Sequence, residues 1–425
     1  MSTLAAAIER RAIPRAALVY AAGLVVALVT VFVLFGHQSV IGSNFDPYLF
    51  GAMGRSLANG HGFSAGRFGN LLSRRGPLYP AIIGVIYWVF GERPRLILTL
   101  HCLLFAGVCV LVYDIGRRVF NERTGLLAAA GCMLHPMLLR YLPTLHLETV
   151  LTFVFTVMIW TMVRFHERPT VRRGIAIGAA AGVASLAKTV AFPVPFFFAA
   201  GFVLAAWTAR RRGEERAVPW KGIAAIVLAL VVTLTPWTIR NYRASGHLVL
   251  VTTGTSDAFL RGLIFSRTEF ALLRQPPYTV AENESNAYFR SLTAAKGVDW
   301  EKDDYATDQI LNAEAKRRLL DEPGTVARHA LVGLATFWYQ LTSLKNSLLA
   351  LVLAAGAWAL ALVGWRRSHR ERRGAWVLYL PILSLNVLLA RLLALGRYSV
   401  PILPALTVLA AFGADTLLGR RSVPA

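Results

Sequence analysis

Ionisable side chains are scarce in this chain, and many of those that border its apolar segments could work together. Asp46 stands in Asn44-Phe45-Asp46-Pro47-Tyr48, a lone acid in a mostly apolar stretch. Arg74 and Arg75 precede an apolar block, and Arg140, His146 and Glu148 flank a short turn. Lys188 lies near the end of another block, Arg240 closes one more, and Arg391 and Arg397 bracket a late turn. Charges within or beside membrane spans are costly and by default mark function. A carboxylate can deprotonate or orient a nucleophile, so a mixed acidic and basic rim reads as a membrane-embedded active site. Helix ends also collect charge, and Arg snorkels. For Arg140 and His146 that plain reading is the stronger, and Asp46 could simply cap the helix from Tyr48 to Ala58.

Other chemistry finds little support. Gly60-His61-Gly62 is a turn, and His37, His61 and His146 lack metal-ligand spacing. Neither a GxSxG nor a Walker loop occurs. Cys102, Cys109 and Cys132 lie inside apolar runs and read as small core hydrophobes. Asn283-Glu284-Ser285 is a glycosylation sequon, meaningful only in a eukaryotic secretory compartment.

The positioning elements follow from composition. Of 425 residues 56% are hydrophobic and only 16% charged, against about 25% in soluble domains, and the mean hydropathy is +0.52. That excludes a disordered chain and argues against a soluble enzyme. A transmembrane helix needs about 20 mostly apolar residues. Spans are expected at 16–35, 96–116, 124–142, 147–163, 174–190, 191–207, 222–239, 347–365, 375–392 and 396–418. Pro77–Phe90 and His329–Leu344 are shorter and are expected to lie at the interface.

The net charge of +22 tests this count. With the N-terminus inside, the dense basic clusters fall on one side, as the positive-inside rule requires. They include Arg117, Arg118 and Arg123, then Arg210, Arg211, Arg212 and Arg216, then Arg366 and Arg367. Two long segments then lie outside, 36–95 and 240–328. The second opens with a β-like stretch, His247–Thr253, and ends in a helical run, Tyr305–Leu320, stopped by Pro323-Gly324. The expected organisation is an N-terminal transmembrane module (1–239) whose first external loop (36–95) is catalytic, a small extracytoplasmic insertion (240–328), and C-terminal helices (329–425). The fold class is thus an all-α polytopic integral membrane protein. Asp114 and Asp415, near inner ends, read as ordinary boundary residues.

Three segments carry a resemblance. Asp46, Tyr48, Arg55–Phe63, Arg75-Gly76-Pro77-Leu78-Tyr79-Pro80 and Phe90-Gly91 form the first. Thr235-Pro236-Trp237-Thr238-Ile239-Arg240-Asn241-Tyr242, with Gly246 and Val249–Gly254, is the second. Arg397-Tyr398, with Pro401 and Pro404, is the third. In order and spacing the chain resembles GT-C glycosyltransferases of the clan that holds protein O-mannosyltransferases and lipid A aminoarabinose transferase, over most of residues 16–418.

The resemblance implies a GT-C helical bundle of about ten spans with interfacial helices in the first loop. It also implies inverting transfer of a sugar from a polyprenyl-phosphate carrier to a lipid, glycan or protein acceptor outside a cell (inner) membrane. Asp46 matches the acid that faces the acceptor, and Glu148 resembles the second acid. A departing phosphate needs cationic stabilisation, for which Arg240, Arg397, Lys188 and Arg75 are candidates. Tyr48, His61, Tyr79, His146 and Arg74 are expected to line the substrate side; Tyr79, Tyr87 and Trp88 are candidate interfacial anchors, though plain packing is the stronger reading for each. The chain has no second acid beside Asp46 and no large C-terminal domain, so a divalent metal is possible but not indicated. The runner-up is a transporter or lipid flippase, for which no internal repeat speaks. A non-catalytic scaffold would leave Asp46, Glu148 and Arg240 apart.

Overall fold

The computed structural model describes residues 3–36, 45–64, 75–213, 217–267, 277–300, 303–370 and 374–419. In chain order the helices begin with α1 (Thr3–Leu28, continued by a π-helical stretch Val29–Leu34), α2 (Phe45–Ala58), α3 (Leu78–Phe90), α4 (Pro94–Val119), α5 (Glu122–Met133) and α6 (Pro136–Leu139). Then come α7 (Glu148–Glu167), α8 (Val171–Ala187), α9 (Val194–Arg211) and α10 (Trp220–Ser245). The insertion contributes α11 (Thr255–Phe265), α12 (Pro277–Ala294) and α13 (Asp304–Asp321). The chain closes with α14 (Pro323–Tyr339), α15 (Leu344–Arg370), α16 (Trp376–Ala390), a 3-10 segment Gly396–Ile402, and α17 (Leu403–Gly419).

This is an all-helical, multi-pass membrane protein. Among the described residues seven helices are long and apolar enough to cross a membrane: α1, α4, α7, α9, α10, α15 and α17 with its 3-10 lead. The other three expected spans are shorter. The 124–142 span breaks after α5, because Pro136 lacks an N–H and starts a new turn, capped by the His135 ring accepting from the Met137 N–H at 3.3 Å. At 12 residues α5 rises about 18 Å, well short of a hydrocarbon core of about 30 Å. The expected 174–190 span ends at Ala187, and Lys188 is extended (φ −155°).

Small residues set the closest packing. Gly174, Gly178 and Gly182 recur every fourth residue on α8 and face α10. A methyl at Gly178 would lie 2.2 Å from the Ile226 carbonyl oxygen, and one at Gly174 2.3 Å from that of Gly222. This is the small-residue packing that lets membrane helices touch backbone to backbone. Helix α2 meets α3 in the same way, with Gly54 against Ile83 and Gly84 against Leu57. The end of α2 is also tied down, Arg55 Nε donating to Glu92 at 2.8 Å.

The end opposite the α2–α3 hairpin is an ionic lattice. Asp114 receives Arg117 Nε and the Trp160 indole, both at 2.8 Å, and also binds Arg118. Asp415 accepts from Asn121 at 2.9 Å. These two boundary acids thus join α4 to α7 and α17 to the start of α5.

The stretch 247–253 forms no strand; it is an extended segment laid along the end of α10. Gly246 reverses the chain in the left-handed region (φ 72°). The Trp237 indole then donates to the Val251 carbonyl at 2.8 Å, Thr238 to Leu250 at 2.8 Å, and Asn241 to Val249 at 3.0 Å. Alternation made the segment look like a strand, but helix side chains take the carbonyls that a neighbouring strand would otherwise bind.

Interfacial behaviour divides along α3. Val85, Trp88, Val89 and Phe90 are exposed, whereas Tyr79 and Tyr87 turn into the core. Of the three expected anchors only Trp88 is placed to meet lipid. Helix α14 covers most of the second short block and exposes Leu331 and Leu334.

Candidate active site

The first turn of α2 carries Asp46, and four other parts of the chain converge around it. Arg75 Nη2 lies 3.1 Å from Asp46 Oδ1. Arg397 Nη2 lies 2.8 Å from Oδ2, while its Nε stands 3.8 Å from Glu148 Oε1. Glu148 opens α7 and its side chain is only 7% exposed. Lys188 completes the group, its Nζ 3.6 Å above the Tyr398 ring.

Each partner is delivered by a local device. Gly76 is pressed onto the end of α8, where a methyl would lie 2.3 Å from the Leu186 carbonyl oxygen and 2.6 Å from that of Ala187. Only glycine allows this approach, and it sets Arg75 beside Lys188. Lys188 is freed from α8 by its extended backbone. Arg397 rides on the 3-10 segment, whose first residue, Gly396, donates its N–H to the Gln340 carbonyl at 2.8 Å.

Burial alone would push the Asp46 carboxyl upward, but the Arg397 and Arg75 guanidiniums outweigh it and hold it far below the usual carboxylate range. Those two partners favour the ionised form at neutral pH. His146 sits near it, its Nδ1 2.7 Å from the Thr144 hydroxyl. Burial lowers its imidazole, against the pull of Glu148, and favours the neutral ring.

These groups open into one cavity of about 1800 Å³. Two carboxylates face Arg75, Lys188 and Arg397 there, and Arg140 and Arg391 also line the wall. The cluster carries excess positive charge and suits an anion that displaces part of the existing ion pairing. An apolar arm of the same cavity is lined by Leu34, Phe35, Pro136, Met137 and Leu139, beside the break between α5 and α6. On the far side Asp257, Trp300, Asp304 and Asn312 of the insertion line the same space. Among the described residues no group of three or more His, Cys, Asp or Glu could hold a metal ion.

Asp46, Glu148, Arg75, Arg397, Lys188 and His146 therefore come together. Arg240 stands apart and is not among the cavity-lining residues. Its guanidinium lies over the Trp237 and Phe63 rings at 4.6 and 5.3 Å and donates to Asn241 at 3.1 Å. Tyr79 does not line the cavity either; it is fully buried, its hydroxyl 3.2 Å from the His101 ring. Tyr48 and His61 are exposed outside the cavity wall, and Arg74 lies outside the described residues. The sequence reading missed the insertion's contribution, because its polar residues look like those of any solvated helix. It also missed the cation–π seat of Lys188, though Tyr398 adjoins Arg397.

Residues 74–237 match the family described as dolichyl-phosphate-mannose-protein mannosyltransferase. No curated protein matches the chain. Among solved structures it is similar to the oligosaccharyltransferase AglB of Archaeoglobus fulgidus in complex with an inhibitory peptide and a dolichol-phosphate (TM-score 0.53, 13% identity, 95% of this chain and 50% of that one). The same archaeal enzyme tethered to an acceptor peptide with the NVT sequon gives a TM-score of 0.59 at 13% identity, with the same coverage. ArnT from Cupriavidus metallidurans bound to undecaprenyl phosphate gives 0.42 at 18% identity, covering 94% of this chain and 77% of that one. The chain thus spans about half the length of the oligosaccharyltransferase whose fold it shares.

Proposed function

We propose that this GT-C membrane protein is an inverting glycosyltransferase that moves a hexose or pentose from a polyprenyl-phosphate donor to an acceptor outside the cell membrane. The observation that carries the reading is the convergence of Asp46, Glu148, Arg75, Arg397 and Lys188 at the meeting point of a polar cavity and an apolar arm. A lipid-tailed phosphate has those two needs. The isoprenoid fits the apolar arm, and the phosphate fits the cations. The dolichol-phosphate held by the structurally similar oligosaccharyltransferase is in keeping with that class of ligand.

In the reaction the acceptor oxygen or nitrogen attacks the anomeric carbon from the face opposite the phosphate. The new glycosidic bond forms as the carbon–phosphate oxygen bond breaks, and the electron pair leaves with the polyprenyl phosphate. Arg75, Arg397 and Lys188 stabilise that growing charge, as an oxyanion hole does. Asp46 accepts a hydrogen bond from the acceptor and orients it. The carboxylate takes up the acceptor proton as the new bond forms and passes it to the departing phosphate, whose second pKa is about 6.

One-sidedness supports an enzyme over a transporter. The wall of the cavity is built from the α2–α3 end of the bundle and from the insertion, and the ionic lattice around Asp114 and Asp415 contributes nothing to it. Dense arginine clusters at that opposite end favour an extracytoplasmic site. Mass analysis of envelope glycolipids and glycans with and without the gene tests the proposal. A glycoform lost on deletion and restored by the wild type but not by Asp46→Asn is expected; an unchanged envelope would sink the reading.

A further inference from the structure

At about 1800 Å³ the cavity exceeds the roughly 300–1,000 Å³ of a site for one small ligand, and its two halves differ in chemistry. Around Asp46 cations dominate. In the insertion the lining side chains are carboxylates and amides, including Asp257, Glu282, Asn286, Asp304, Asp308 and Asn312, together with the Trp300 indole. Three cations share this half: Arg261, engaged by Asp257 at 2.7 Å, Glu282 at 3.3 Å and Asn286 at 2.8 Å, then Arg290, 5.7 Å from the Trp300 ring, and the exposed Lys316. Four carboxylates, Asp257, Glu282, Asp304 and Asp308, face these three cations, so this half lacks the positive excess of the cluster around Asp46. A polyhydroxylated ligand suits it, because each sugar hydroxyl donates to carboxylate or amide oxygens while a ring face stacks on the indole beside Arg290.

One buried group points to such a ligand. Thr307 lines this half, is 2% exposed, and its hydroxyl has no hydrogen-bond partner among the described residues. Other buried helical threonines return that hydroxyl to the preceding turn, as Thr152 does to Glu148 and Thr156 to Thr152, whereas Thr149 shares the unpartnered state of Thr307. A buried hydroxyl without a partner costs about 1–3 kcal/mol, which a ligand oxygen would relieve. The two halves are also held in register. The loop between α10 and α11 bonds to the cluster side through Thr252 and Thr189 (2.5 Å), and to the insertion through the Gly254 N–H and Asp308 (2.9 Å).

We propose that the insertion half, with Trp300 and Thr307 at its centre, is the acceptor subsite and that it takes a saccharide chain whose terminal hydroxyl reaches Asp46. The inference rests on the transferase reading and names its acceptor class. A peptide fits less well, since among the described residues this half presents no strand edge to pair with an extended backbone.

The test uses the full chain in native membranes with benzoylphenylalanine placed at the exposed Lys316, which lines the same half. After irradiation, the peptide that spans position 316 should gain mass in hexose or pentose increments. Trp300→Leu should cut that yield about tenfold and Trp300→Phe should restore most of it. Thr307→Val, close in shape, should lower it several-fold. An adduct of amino-acid composition, or no saccharide adduct, in protein that still binds undecaprenyl phosphate overturns the inference alone. Protein that folds but does not bind undecaprenyl phosphate overturns the transferase reading beneath it.

Discussion

Arg397 reaches Asp46 across 351 positions of sequence and meets it at 2.8 Å. The same guanidinium faces Glu148 at 3.8 Å. One side chain from the C-terminal helices thus joins an acid of the first loop to an acid at the start of α7. Its planar fork can hold both in a fixed geometry, which the rotatable point charge of a lysine ammonium does not impose. When a donor phosphate arrives, this is the cation best placed to exchange a carboxylate for it.

Arg397→Lys should therefore keep the charge and lose the function. Charge-assisted hydrogen bonds contribute about 1.5–3 kcal/mol, so undecaprenyl phosphate should bind roughly 10- to 100-fold more weakly. Titration of the purified protein in nanodiscs measures this. Affinity within twofold of wild type would remove Arg397 from the phosphate site.

Asp46→Asn should slow transfer by about 100- to 10,000-fold while undecaprenyl phosphate still binds. The pH dependence has a definite sign. The folded carboxyl is depressed from its ordinary value of 3.8, so its contribution to stability is fully present above that value and fades as pH falls through the folded pKa. The gap in thermal stability between wild type and Asp46→Asn should stay constant from about pH 5 to 8 and narrow only below about pH 4. A gap that closes already between about pH 5 and 6 would show that Asp46 is not held by Arg397 and Arg75.

Gly76→Ala should be damaging although it adds one methyl, because that carbon would lie 2.3 Å from a backbone oxygen of α8. Backbone cannot yield as a flexible side chain can, and overpacking of this kind costs about 1–3 kcal/mol. Gly60→Ala gives the comparison: its added carbon meets nothing within 4 Å, and only its positive φ of 77° is strained. Thermal shift and transfer rate should both fall further in Gly76→Ala. Equal losses in the two variants would mean that the contact with α8 does not position Arg75.

The apolar blocks revealed the spans and the lone acid revealed Asp46, because membrane burial makes both conspicuous against their surroundings. Its partner was not legible. Arg240 and Arg397 each close a motif at a span end, and local sequence does not show which guanidinium crosses the bundle. Tyr79 illustrates a similar limit: an aromatic in a short amphipathic helix fits lipid or core equally well, and the choice was made by His101, 22 residues away. The 247–253 segment has the pattern of a strand, yet alternation says nothing about the partner, which here is a helix. The insertion's part in the cavity was hidden for another reason. Its acids and amides pattern like a solvated surface, and only tertiary packing turns them inward.

Arg240 supplies the last prediction. Its guanidinium lies over the Phe63 and Trp237 rings, which pack edge to face, and bonds Asn241, and Trp237 and Asn241 in turn hold the carbonyls of Val249 and Val251. The Pro-Trp-x-x-Arg-Asn segment is thus a clamp that fixes the path from α10 into the insertion and links it to the first loop at Phe63. Arg240→Ala should lower thermal stability by about 0.5–2 kcal/mol, the worth of its cation–π contacts, and leave undecaprenyl phosphate affinity within twofold. Trp237→Phe should act in the same direction, since it removes one of the two donors to the Val251 carbonyl and leaves it to Asn241 alone. Limited proteolysis after α10 should quicken in both variants. A tenfold loss of undecaprenyl phosphate binding in Arg240→Ala, with proteolysis unchanged, would return Arg240 to the phosphate site and refute the clamp.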